Sequence, residues 1–205
     1  MKSAGTKLSV SDRAKALIAD SLLRIEFDAF VNEHVRRTMD ALSLEYFPAV
    51  GGINNDEFAK RIESYESAVR DLQTILIVLI RWGDRDHMLQ LEKILCRVVE
   101  VDKGGGGTVA WLRLNWYPVL ALIYAGGITA LSARRYEALH ALFATPVRAN
   151  QAVAGPGEKP VILSAVSAIR DIEEAFKLLP GHERHRYPRS EHHGNISTAK
   201  ARLLY

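Results

Sequence analysis

The stretch that decides the architecture is "NWYPVLALIYAGGITALSARR", residues 115–135. It reads two ways. With Leu114 at one end and Ala133 at the other, it holds about 20 uncharged residues, the length a helix needs to cross a bilayer. Trp111, Trp116 and Tyr117 resemble an interfacial aromatic belt, and Arg134 with Arg135 suits the cytoplasmic side of a span. Gly126 and Ala130 have the small-residue spacing that lets helices approach closely. However, Asn115, Pro118, Gly126, Gly127, Thr129 and Ser132 dilute the stretch, leaving a strongly apolar run only over 119–123. The neighbouring helices are amphipathic and each needs an apolar partner. A helix that is hydrophobic all round supplies that partner from the centre of a bundle. The expected reading is therefore a buried central helix, with a span near 114–133 as the alternative.

Outward from this stretch, helical periodicity dominates. Ser11 and Asp12 are expected to cap a first helix over about 12–47, ended by Pro48 and the glycines at 51 and 52. Its apolar stripe starts as Ile18, Leu22, Ile25 and Ala29. It then changes phase to Phe27, Val31, Val35, Met39 and Leu42, which implies a bend or two buried faces. A second helix starts at Asn55 and Asp56. It carries Phe58, Ile62, Tyr65, Val69, Leu72, Leu76 and Leu79 at alternating spacings of four and three, a heptad seam. "RWGDRD" turns into a third helix with Met88, Leu91, Leu95 and Val98. So short a turn makes the two helices antiparallel neighbours.

Beyond the glycines at 104–107 and the opening stretch come a short helix over 136–144, a flexible loop ("NQAVAGPGEKP") and a helix over about 161–179. That last helix is expected to bury Ile162, Val166, Ile169, Ile172, Phe176 and Leu179. No segment of strand length alternates apolar and polar residues. The fold class is thus all-α. A bundle of about six helices fills residues 1–180 as one domain, with loops near 48–55, 102–108 and 146–160. An irregular, flexible, basic, His-rich tail is expected over 181–205.

The 205 residues are 48% apolar and 25% charged, with a formal net charge of +3. The tail holds Arg184, Arg186, Arg189, Lys200 and Arg202 against Glu183 and Glu191, and so carries the whole surplus. A neutral body without a basic recognition face speaks against specific nucleic-acid binding. Cys96 is the only cysteine, in an apolar run where a thiol behaves as a small hydrophobe. The start, "MKSAGTKLSVSDRAK", has no apolar signal region. Together these point to a cytoplasmic protein.

Four constellations bear on chemistry. Asp84 with His87, and Glu137 with His140, have the carboxylate-x-x-histidine spacing that di-metal bundles use, and Glu26, Glu33, Glu63 and Glu66 are available as further carboxylates. Yet Leu139, Leu142 and Phe143 mark the buried face of their helix, which puts Glu137 and His140 on the wet side. Asp84 is better read as a helix cap. In the tail, His182, His185, His192 and His193 lie beside Glu183 and Glu191, a composition that can hold transition metals but here lacks a fixed frame. Lys103 precedes the glycine run instead of following it, so a phosphate loop fails and a linker is expected. No serine, nor Cys96, stands in the local setting of an activated nucleophile. No catalytic, cofactor-binding or metal-binding residue is therefore assigned, and no cofactor or small-molecule ligand is implied.

Residues 125–146, "AGGITALSARRYEALHALFATP", resemble one tetratricopeptide repeat unit, with small residues in the first helix, a basic turn, Tyr136 and a closing Pro146. They depart from it by a register slip, since Tyr136 and Ala138 are two apart where the family has three, and no second copy recurs at the repeat's period. The resemblance implies a helical hairpin of the kind interaction modules pack. The functional expectation is a non-catalytic interaction, regulatory or accessory module of a cytoplasmic assembly, with a protein partner or self-association through the face of Phe58 to Leu79. The alternatives are a single-pass membrane protein and a metal-dependent helical-bundle enzyme.

Overall fold

The computed structural model describes residues 8–100, 106–149, 161–169, 172 and 175. The loop expected over 150–160, the tail from 181, and Phe176 and Leu179 lie outside the described residues. The body is a helical bundle built on two helices, α3 (Asn55–Trp82) and α6 (Tyr117–Ser132).

Helix α3 begins where Asn54 accepts the amide of Glu57 at 2.8 Å, with Asp56 and Glu57 at the positive end of the helix dipole. It ends at Gly83. Its heptad seam lies inward: Phe58, Ile62, Tyr65, Val69, Leu72, Leu76 and Leu79 are all buried. Helix α6 packs along it and is buried on nearly every side, with Tyr124 and Leu131 the large side chains left exposed. This is the expected central helix. Two refinements apply. The apolar stretch divides at Asn115, so that α5 (Val109–Leu114) precedes α6, and Pro118 falls in the first turn of α6, where a missing amide costs no helical bond.

The two mid-helix glycines differ. A β-carbon at Gly126 would lie 2.8 and 2.9 Å from the Cδ atoms of Leu142 and 3.1 Å from Ile80 Cδ1, whereas one at Gly127 would meet nothing within 4 Å. Only Gly126 admits a neighbour. The chain then turns through Arg134, whose φ of 54° is left-handed, into α7 (Tyr136–Ala144). That is the helical hairpin the repeat-like segment implies. The buried residues of α7 are Ala138 and Leu142; Leu139 is partly buried and Phe143 is exposed, which narrows the face expected from the sequence.

The first expected helix is two. Helix α1 (Val10–Ala19) is capped by Ser9, which accepts the amide of Asp12 at 3.1 Å, rather than by Ser11 or Asp12. At Asp20 the backbone becomes extended, and its carboxylate accepts the amide of Leu22 at 2.9 Å. A short 3-10 turn (Ser21–Leu23) leads into α2 (Arg24–Ala41). This break resets the helical phase. Phe27, Phe30, Val31, His34 and Val35 face inward, while Leu22 and Ile25, expected in the core, are 87% and 81% exposed. Helix α4 (Met88–Val99) follows the expected turn, buries Leu91, Leu95 and Val98, and packs against α2, α3 and α7.

The expectation of no strands fails in one place. Pro146–Ala149 (β1) pairs antiparallel with Val161–Ser164 (β2) in a two-stranded sheet against α4. The last helix therefore starts four residues later than expected, as α8 (Ala165–Ala168), where Ser164 caps by accepting the amide of Ser167. Its inward side is Ala165, Ile169 and Ile172, while Ile162 and Val166 are exposed. With only four residues each, the strands are too short to show alternation.

Candidate functional site

The densest array of polar and aromatic groups in the body sits where the first half of α3 meets α5 and the start of α6. The heptad pattern puts Arg61 among the charged residues flanking the seam; the structure buries it to 9% exposure. Its Nη1 donates to the carbonyl of Pro48 at 2.7 Å and its Nε to Glu57 at 3.1 Å. The guanidinium carbon lies 4.0 Å from the ring centroid of Trp111, which is fully buried. That face-on placement of a planar cation is worth more away from water than at a surface.

One turn further, the Tyr65 hydroxyl donates to Asn115 Oδ1 at 2.6 Å, and Phe47 stacks on the Tyr65 ring at 4.0 Å. The Tyr117 hydroxyl donates to Glu66 at 2.8 Å. The connection before α3 is laced to the start of α5, since the amide and hydroxyl of Thr108 donate to the carbonyls of Ala49 (2.7 Å) and Gly51 (3.0 Å). Gly107, at φ 135°, lies so close to Ala49 that any β-carbon would strike its carbonyl. The last glycine of the expected linker is thus a packing position.

Chemically, the array's two phenols are held as donors. Burial raises the Tyr65 phenol well above its ordinary value, with Arg61 opposing. Burial and the carboxylate of Glu66 do the same to Tyr117. Both stay protonated as hydrogen-bond donors, neither serving as a base. Trp111 Nε1 is buried without a hydrogen-bond partner among the described residues.

A second polar seam holds α2 to the turn before α4. Arg24 reaches Asp86 at 2.7 Å and Asp84 at 3.8 Å, and Asp28 accepts from Gln90 at 2.7 Å. Asp84 accepts the backbone amide of His87 at 3.0 Å and lies 2.6 Å from its ring Nδ1, which holds the carboxyl below its usual range. The Asp84 and His87 pair thus closes the turn before α4, whose N-cap is His87 without a side-chain cap bond, so Asp84 is not the helix cap expected from the sequence. Glu137 and His140 are exposed on α7, on the wet face. The structure does not bring the two pairs together, and no group of three metal-ligating side chains occurs among the described residues. The four tail histidines lie outside those residues. Cys96 is half-buried against the Pro146 carbonyl at 3.5 Å, and burial pushes its thiol up, away from the thiolate a nucleophile needs.

What the sequence missed is on the outside. Leu22 and Ile25 are the two most exposed large apolar side chains described, one turn apart on the same side of the α2 entry. The periodicity expected both in the core; past the break at Asp20 the structure leaves them exposed.

No family model matches the chain, and no curated protein or solved structure matches it either.

Proposed function

We propose that this chain is a non-catalytic helical interaction module that takes a protein partner on the outer face of the α2 entry. The carrying observation is the exposure of Leu22 and Ile25 beside Arg24, whose guanidinium is engaged with Asp86 and Asp84 in the turn before α4. An apolar pair this exposed, within one turn and beside charged groups, is the kind of surface that a partner's apolar residues cover. The heptad face of Phe58 to Leu79 is spent inside the chain, so self-association through it is not part of the proposal.

A photo-crosslinking side chain placed at position 22 or 25 in the native cell should capture a discrete protein. The same probe at exposed Glu63 on α3 should not. Equal labelling at all three positions would refute the assignment of this face.

One observation favours a second reading. Residues Val109–Ser132 are long and apolar enough to cross a membrane, although most of that length is buried against other helices here. Fractionation decides between them, since a bundle core requires recovery of the chain without detergent and a span requires detergent. A cytoplasmic location belongs to the first reading.

A further inference from the structure

His34 lies on the buried stripe of α2, 7% exposed, at the junction of three helices. The Phe30 ring meets its imidazole edge-on at 4.6 Å, and Arg13 of α1 lies over the Phe30 ring, 5.3 Å from its centroid. Across the seam, Asp71 of α3 places Oδ2 3.4 Å from Nδ1. One turn on, the Thr38 hydroxyl donates to the Ala68 carbonyl. We propose that His34 is a proton-sensitive latch that holds the α1–α2 layer on α3 while neutral and loosens it when protonated.

The balance of charges supports this direction. Facing His34 are Arg13 from α1, Glu33 and Arg37 from α2, and Asp71 from α3. Glu33 already accepts from Arg36 and Arg37, and the Asp71 side chain is half exposed and screened by water. A new cation at His34 would thus have one weak acidic partner, two cations nearby and little solvent. Burial accordingly holds the ring below its ordinary value, against the pull of Asp71. The sign follows. Because the folded-state value is depressed, the unfolded chain binds a proton more readily below about pH 6.5. Stability is fully present above that value and is lost as pH falls toward the folded-state value. His87 is the other buried histidine described. It packs against Phe27, about 10 Å along α2 from His34, and pairs with Asp84.

Hydrogen exchange on the full chain, corrected for intrinsic rates, tests the latch between pH 7.5 and 5.5. Protection over 27–38 should fall relative to α6, by at most about tenfold per pH unit for a single titrating group. His34→Gln should abolish that extra fall. Asp71→Asn, a near-isosteric change at a half-exposed side chain, removes the larger favourable charge and should deepen it. Should His34→Gln fail to fold, Asp71→Asn decides alone. An α2 that tracks α6 in the wild type, a fall that persists in His34→Gln, or one unchanged in Asp71→Asn overturns the proposal.

Discussion

Paired alanine substitutions at Gly126 and Gly127 separate close packing from mere helix weakness. Each replacement gains about 1 kcal/mol of helix propensity. At Gly127 the added methyl enters open space, so the gain should appear in full and raise the melting temperature by about 2–4 °C. At Gly126 the methyl would sit 2.8 and 2.9 Å from Leu142 Cδ1 and Cδ2 and 3.1 Å from Ile80 Cδ1. Carbon atoms pack comfortably at about 3.5–4.0 Å, so the Leu142 isobutyl group must retreat by about 0.7–1 Å. Leu142 and Ile80 are both fully buried, and such overpacking costs about 1–3 kcal/mol. Set against the propensity gain, Gly126→Ala should lie between neutrality and a loss of about 2 kcal/mol. The two variants should thus differ by about 1–3 kcal/mol.

Urea unfolding followed by far-UV circular dichroism measures this difference, with an unchanged slope confirming that only stability has moved. Gly126→Leu extends the series. It inserts a whole side chain between α6 and α7 and should be less stable than either alanine variant. If Gly126→Ala proves as stable as Gly127→Ala, α7 does not close over α6 at this point. The reasoning about why α6 carries glycine there would then fail.

Three further predictions concern the body of the bundle. Leu72→Ala, at a fully buried seam position, should lose about 2–5 kcal/mol with no change in sedimentation behaviour, because the seam is internal. Arg61→Lys removes the planar stack on Trp111 and the fixed two-directional bonding to Pro48 and Glu57. A loss of about 1–3 kcal/mol with a shift in tryptophan emission is expected, and unchanged emission would contradict the stacking. Tyr65 and Tyr117 have folded-state values raised above about 10, so their contribution is fully present below that pH and is lost as pH rises past it. In an alkaline absorbance titration, two of the seven tyrosines should ionise only together with unfolding.

The parts of the fold legible in the sequence are those where one periodic segment meets a broad apolar surface. The α3 seam is read correctly at every position from Phe58 to Leu79, because a long uninterrupted helix keeps its phase. The central role of α6 follows from its lack of a polar face. The limits of α7 follow from the basic turn and Pro146. The break at Asp20 is hidden because it depends on one aspartate preferring the amide of Leu22 to a helical conformation, and aspartate is tolerated within helices too. The β1–β2 pairing is hidden because four-residue strands are too short to show a period of two.

The polar sites were harder to see for a related reason. Arg61 occupies a position beside an apolar stripe, where charge is the norm, and His34 one within a stripe; their surroundings depend on loops and helices that arrive from elsewhere: Pro48 and Trp111 for Arg61, Arg13 and Asp71 for His34. Leu22 and Ile25 present the same difficulty in reverse. An apolar residue at helical spacing is written identically whether it packs against its own chain or waits for another. Here the difference rests on one capping contact upstream. The assignment of the α2 entry as a docking face therefore rests on the break at Asp20, and a chain that kept α1 and α2 continuous would turn Leu22 and Ile25 in phase with Ile18. Asp20→Ala, which removes the carboxylate that holds the break, should favour that continuous helix and draw the two side chains out of solvent. A cysteine placed at position 22, with Cys96 replaced by alanine, should then react more slowly with a thiol reagent than it does beside the native Asp20. Equal reactivity in the two backgrounds would show that something other than this cap holds the apolar pair outward.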